Sequence, residues 1–420
     1  MSESESTLAG RLAFAALCLM VVGLAFSISI AQTGLGIAFI LFVGTLFSSG
    51  RKTLRLRGAK WLKLFYVFIA GWIIWRIFHV LIAARPGAEL FAAREVWLML
   101  IPVFIWFYAS SRNRLRLLLT LFVLGAAVSS AWGLWKMRNE LFDLLTRGKG
   151  LTTMHHLNYA GVAAFAALLG LGLSWSNYYC GNQLRALLIL LFALLAFAGL
   201  WLTKSKGAIA AFAAVIPLFI YLQLHNRVHR WLFIALTVGG AAYLLPRLPE
   251  SITAQYRFPP PEIHAGSQAE RRDLWQTGLA MIRDNPWVGY GERGYNEAFP
   301  RYQLPEATGV ARWDEKSREA SHMHNDFLNT WVLYGAIGLL LQLGYYFVGF
   351  FAYLRERYRI RRQSDRPLAA AGASSAVLMA LMGLTQCHFT SEIVQMSFWI
   401  ALGSFIVLLD CDRSGYSGES

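Results

Sequence analysis

Two histidines, an asparagine and an aspartate crowd the segment Ser321-His-Met-His-Asn-Asp326, directly ahead of an apolar run beginning at Phe327. Asn325 and Asp326 are residue types that cap a helix N-terminus, so His324 stands at a helix mouth. The positive end of the helix dipole there lowers an imidazole's pKa and favours the neutral ring. Neutral imidazole near pH 7 is what a general base requires. The bland reading of His324 is a solvated histidine at a membrane interface. His322 is either its partner or simply solvated, and the pair lacks a third metal ligand at an obvious spacing.

Other polar residues stand at similar mouths. Thr203-Lys204-Ser205-Lys206-Gly207 opens an apolar run, where backbone N–H groups plus a lysine make a seat for an anion. The same lysines would snorkel to headgroups if they had no ligand. His155, His156 and Asn158 open another run. Arg76 and His79 lie deep in a third, with Trp72 and Trp75 nearby, and a charge there must pair or line a polar cavity.

A polar stretch precedes the histidines. Within it, Ser267-Gln-Ala-Glu270 reads as a capping box opening a helix that runs to Asp284 and stops at Asn285-Pro286. Helical spacing puts Arg271, Trp275, Leu279 and Ile282 on one face and Arg272, Gln276 and Arg283 on the polar face. Arg271 is thereby the arginine aimed at packed protein or membrane. Val288–Gly294 contains GxGxxG, but it follows a helix and a proline rather than a strand, so a flexible turn is expected, not a nucleotide site.

These residues need elements to hold them. The chain has 420 residues, 56% of them hydrophobic, with a mean hydropathy of +0.44. That is too apolar for an ordinary soluble domain and implies an all-α, polytopic membrane protein. About twelve spans are expected, at 12–30, 34–48, 62–83, 92–109, 117–135, 159–175, 186–202, 207–223, 230–246, 327–353, 368–388 and 393–410. Pro102 and Pro217 fall inside spans and would kink them or be tolerated. The first span reads as a retained anchor rather than a cleaved signal, because another span follows at once. The chain divides into an N-terminal bundle (1–246), a loop domain (247–325, Pro-rich at its start) and C-terminal helices with a tail (326–420).

Basic turns at 51–60, 112–116, 226–230 and 355–366 share one face, which the positive-inside rule makes cytoplasmic. The net charge of +15 is therefore a topology signal beside anionic lipid, not a sign of nucleic acid. The four cysteines show neither CxxC nor His–Cys spacing, so no disulfide framework or zinc site is expected. Three segments on the opposite face are still basic: Arg85 and Arg94, Lys136 to Lys149 with Arg138 and Arg147, and Lys204 with Lys206. They are either scattered solvated charge or a surface for anionic glycolipid.

The pattern resembles the O-antigen ligase and polymerase superfamily of bacterial envelope glycosyltransferases. The likeness rests on the span layout with a late outer loop, on Arg271-Arg-Asp-Leu-Trp275 followed by Asn285-Pro-Trp-Val-Gly-Tyr-Gly291, and on His324-Asn-Asp-Phe-Leu328 with Gly335-Ala-Ile-Gly338. These are similar to the family's R-x-x-x-W, P-x-x-G-x-G, H-N-x-x-L and G-x-x-G patterns. The resemblance implies an inner-membrane enzyme, active on the periplasmic side, that moves a glycan from undecaprenyl diphosphate to lipid A–core. It implies His324 as the essential histidine and Arg271 as the loop arginine, with Arg272 as its alternative. A further arginine of the family follows serine in a short turn, where this chain has Lys206 after Ser205, keeping charge but losing the bidentate fork.

On what the resemblance implies, His324 would take the proton of an acceptor hydroxyl, while Arg271 and Lys206, with help from Arg76, neutralise the leaving diphosphate. His322, Asn325, His155 and Asn158 are further candidates to contact substrate, and Glu392 is a candidate to orient His324. No metal and no cofactor is expected. The partners would be undecaprenyl-diphosphate-linked O-antigen, lipid A–core and membrane lipid. The rivals are an O-antigen polymerase or protein O-oligosaccharyltransferase, a solute or anion transporter, and a non-catalytic scaffold. The absence of an internal repeat disfavours the transporter.

Overall fold

Apolar runs of this length become helices because a backbone in hydrocarbon must satisfy its own hydrogen bonds. The computed structural model describes residues 7–49, 60–82, 86–138, 155–224, 226–244, 247, 265–307, 311–313, 320–360 and 362–413. In chain order these form α1 (Leu8–Gly23), α2 (Ile28–Ser49), α3 (Lys60–Ile82), α4 (Pro86–Ala92), a 3-10 helix (Ala93–Leu100) and α5 (Ile101–Tyr108). The series continues with α6 (Arg112–Lys136), α7 (His156–Tyr179), α8 (Gln183–Leu202), α9 (Lys206–Gln223) and α10 (Arg227–Leu244). Helices α11 (Ala265–Asp284) and α12 (Gly291–Tyr302) belong to the loop, and α13 (Asp326–Glu356), α14 (Arg366–Gly383) and α15 (Glu392–Arg413) return through the bundle. Among the described residues, nine helices are long and apolar enough to cross a membrane, and no strand occurs.

Each expected span falls on helix, with shifted ends. The first two, expected at 12–30 and 34–48, are α1 and α2, joined by the turn Leu24–Ser27, whose largely apolar residues hide it from hydropathy. The hairpin closes tightly on glycine: a Cβ at Gly34 would lie 2.6 Å from Ala16 O. The fourth span is a 3-10 stretch followed by α5, and Pro102 starts α5 instead of bending a longer helix. Pro217 does lie inside α9. The Pro-rich stretch 251–264 and residues Arg85, Arg147 and Lys149 lie outside the described residues.

The centre of the bundle is α7, α14 and α15, whose apolar windows are 83–89% buried against 28–33% for α3, α8 and α9. Small residues let these central helices approach closely, since a Cβ on Gly172 would sit 2.7 Å from that of Ala371. The outer helices turn leucines outward. At one end of the bundle Asp365, fully buried, accepts from Arg112 Nε (2.6 Å) and Arg116 Nη2 (3.2 Å).

The loop joins the bundle through a break in α13. Gly335 has φ 65° and ψ −174°, which interrupts the helical ladder. The segment Pro286–Tyr290 docks into the gap: Ala336 N donates to Pro286 O (2.8 Å) and Tyr290 N to Val332 O (3.0 Å). Trp75 Nε1 donates to the freed Tyr334 O (2.9 Å), and Trp331 Nε1 to Pro286 O (3.0 Å). Gly289 and Gly335 allow backbone to touch backbone, because a Cβ on Gly289 would lie 2.5 Å from Gly335 N. The turn expected to be flexible is thus a docked wedge.

Helix α11 begins at Ala265, ahead of Ser267, so Ser267 lies in its first turn and is not its cap. Its buried face centres on Leu274, Gly278 and Met281, while Leu279 is 47% exposed. The expected face is therefore rotated by about one residue, and Arg271 still borders it.

Gly335→Ala places a Cβ against Trp287 O in a backbone conformation L-residues avoid. It should lower stability by about 1–3 kcal/mol and expose the loop to protease. Gly44→Ala, with open space around it, should be neutral or stabilising. Thermal unfolding and limited proteolysis in detergent check both.

Candidate functional site

The N-terminus of α13 is clamped to the turn between α14 and α15. Asn325 Oδ1 caps α13 by accepting from Phe327 N and Leu328 N (both 3.0 Å), and its Nδ2 donates to Leu384 O (3.2 Å). Asp326 Oδ1 accepts from Phe389 N (2.9 Å). The Asn325 side chain is thereby committed to holding backbone.

His324, just before the cap, takes φ 50°, a left-handed conformation that a non-glycine residue keeps only when its surroundings over-determine it. Its Nδ1 lies 2.7 Å from Gln386 Oε1, and Gln386 Nε2 lies 3.2 Å from His322 Nε2. A carbonyl oxygen only accepts, so with this orientation of the amide the His324 proton is on Nδ1 and Nε2 carries a lone pair. The same amide donates to His322 Nε2. The two rings sit 4.4 Å apart. Burial pushes His324 below the ordinary imidazole range; the Gln386 hydrogen bond opposes this, and Arg271 adds to it. Burial, then His324, brings His322 down to about 4. Desolvation is therefore the main cause that keeps the pair neutral.

Arg271 comes from α11, which Trp275 ties to the histidine segment by donating to Met323 O (2.8 Å). Arg271 is half-buried and has no hydrogen bond or ion pair among the described residues; burial disfavours its charge. Arg272 is 59% exposed and turns to its neighbour Asp273 at 3.3 Å. Of the two, Arg271 is the arginine whose charge reaches His324.

The α8–α9 turn forms a third side. A Cβ on Gly207 would collide with Thr385 Oγ1, next to Gln386, so this turn abuts the histidine clamp. Lys206 is exposed at the start of α9. Lys204, which sequence reasoning passed over in its favour, has φ 51° and a buried ammonium without a hydrogen-bond partner among the described residues.

The other candidates make contacts of their own. His155 caps α7 with Nδ1 accepting from Leu157 N (3.4 Å), and Asn158 is in that helix's first turn. Arg76 pairs with Glu292 Oε1 at 3.6 Å and stacks over Tyr334, 4.4 Å from its centroid. It lines a cavity of about 220 Å3 that also receives Glu95, Glu292, Asp326 and Gln395. His324 is not among that cavity's lining residues. Glu392 accepts from Gln32 Nε2, and it is Gln386 that holds His324. Gln386 was missed because hydropathy drew the span to residue 388, hiding the polar turn Thr385-Gln-Cys-His388 inside it.

The model of the family described as O-Antigen ligase matches residues 190–343, a stretch holding the lysine turn, the loop helices and His324, so this part of the chain is similar to that family. Comparison with curated proteins finds no match.

The depressed histidines predict a pH effect on stability. An unfolded histidine titrates near about 6.5, while folded His322 titrates at about 4. Between these values the unfolded chain binds a proton that the native state does not, so stability falls as pH drops through the window. Melting temperature should be lower at pH 5 than at pH 7, and His322→Gln should flatten the dependence.

Proposed function

We propose that this protein is an O-antigen ligase: it transfers a glycan from undecaprenyl diphosphate to a sugar hydroxyl of lipid A–core, with inversion, on the periplasmic face of the bacterial inner membrane. The observation that carries this reading is the His324–Gln386 clamp, which leaves a neutral imidazole with Nε2 free beside an unpaired Arg271. The orientation is supported by the arginines fixed on Asp365 at the opposite end, as the positive-inside rule requires of a cytoplasmic face.

His324 Nε2 accepts the proton of the acceptor hydroxyl as that oxygen attacks the anomeric carbon. The bond from that carbon to the phosphate oxygen breaks, and undecaprenyl diphosphate leaves with the electron pair. Inversion follows from a single displacement. Arg271, with Lys204 and Lys206 across the site, meets the charge that grows on the departing phosphate. The donor is already activated by its diphosphate, so the transfer consumes no ATP. Gln386 is a positioning residue that fixes the tautomer and aim of the base. The cationic side chains do the work a metal ion would otherwise do at a diphosphate, so turnover should resist chelators.

With purified donor and lipid A–core, His324→Ala should lower turnover by about 10²–10⁴-fold; full activity in that variant would sink the reading. Gln386→Ala should lower kcat less and shift the acid limb of the pH profile, because it frees the ring without removing it. Arg271→Ala should lose more activity than Arg271→Lys, which keeps the charge and loses the fork. In cells, deletion should remove capped lipopolysaccharide and leave long carrier-linked glycan, whereas core bearing one repeat unit would indicate a polymerase.

A further inference from the structure

The cavity beside Arg76 has a chemistry opposite to that of the histidine site. Its wall carries three carboxylates, on Glu95, Glu292 and Asp326, against one guanidinium. Glu292 lies deep in the protein yet keeps 39% of its side chain accessible, as a carboxylate facing a void does. Asp326 is wholly buried and its Oδ2 has no hydrogen-bond partner among the described residues. At about 220 Å3 the space exceeds what one ion or water fills.

Charge narrows the occupant. Arg76, the one basic group in the wall, is already paired with Glu292 at 3.6 Å, so the wall offers a phosphate no unpaired positive charge, and the diphosphate belongs with Arg271 and the lysines. Arg76 in the same wall repels a cation, and no three His, Cys, Asp or Glu among the described residues are grouped to hold a metal. What remains is an uncharged group rich in hydroxyls. Carboxyl oxygens accept from hydroxyls, the Gln395 carbonyl and the Asn329 amide nitrogen add an acceptor and a donor whose other ends are taken by Glu95 and Met323, and Trp72 and Phe389 add apolar surface. Asp326 lies two residues past His324, so the same helix turn serves the base and this cavity.

We propose that the cavity is a subsite for a neutral sugar ring of one of the two substrates; this rests on the glycan-transfer reading above. The ring comes either from the acceptor oligosaccharide or from the carrier-linked glycan. The test uses Thr390→Trp, which plugs the exposed rim, and Glu95→Gln, which keeps shape and replaces one carboxyl oxygen by an amide nitrogen. Each should raise KM for one substrate by about tenfold, the loss expected for one hydrogen bond, with kcat within about twofold. A rise confined to lipid A–core assigns the acceptor's sugar, and one confined to the undecaprenyl-diphosphate donor assigns the donor's. Unchanged KM for both substrates in Glu95→Gln overturns the subsite, even where His324→Ala is inactive and the transfer reading stands. An active His324→Ala overturns the transfer reading instead.

Discussion

The break in α13 at Gly335 is the constraint on which the outer end depends. A helix interrupted at membrane depth leaves backbone groups that lipid cannot satisfy, and each costs several kcal/mol if orphaned. Here Pro286–Tyr290 supplies the missing partners, with Trp75 taking one carbonyl. The repair fixes the loop to the bundle. It seats α11 on the histidine segment and sets Tyr334, Arg76 and Glu292 around the cavity. The glycines of the two motifs are needed because the two backbones meet without room for a Cβ.

A second consequence is the segregation of charge around the turn 384–391. On one side stand neutral histidines, Arg271 and the lysine turn; on the other stand the carboxylates with Arg76. Both sides are held by the same turn, through Gln386 to His324 and through Phe389 to Asp326. The transfer proposed above would need this division of labour, since a leaving diphosphate and uncharged sugars want opposite surroundings. His324 is kept neutral mainly by burial, so its readiness as a base depends on the packing of α11 and the turn rather than on a charged partner.

Much of this was legible from the residues. Hydropathy placed the spans, because bilayer thickness sets helix length, and residue type marked Asn325 as a cap and so put His324 at a helix mouth. Helical spacing separated Arg271 from Arg272, although the buried face is rotated and Leu279 is exposed. The misses share a cause. The turn Leu24–Ser27 and the clamp residue Gln386 sit in apolar surroundings, where a hydropathy window runs straight over a reversal.

The sequence alone determined the class of the protein, the cap at Asn325 and the supply of positive charge, since those follow from residue type and local period. Only the tertiary structure decided which groups meet. Glu392, a plausible partner for His324 by position, is taken by Gln32, and Gln386 from the neighbouring turn holds the ring. Glu292 converges on one cavity with Arg76 and Glu95, which lie some 200 residues earlier in the chain. Contacts between distant segments are set by how the helices pack and how α13 breaks, and a one-dimensional pattern carries no record of either distance.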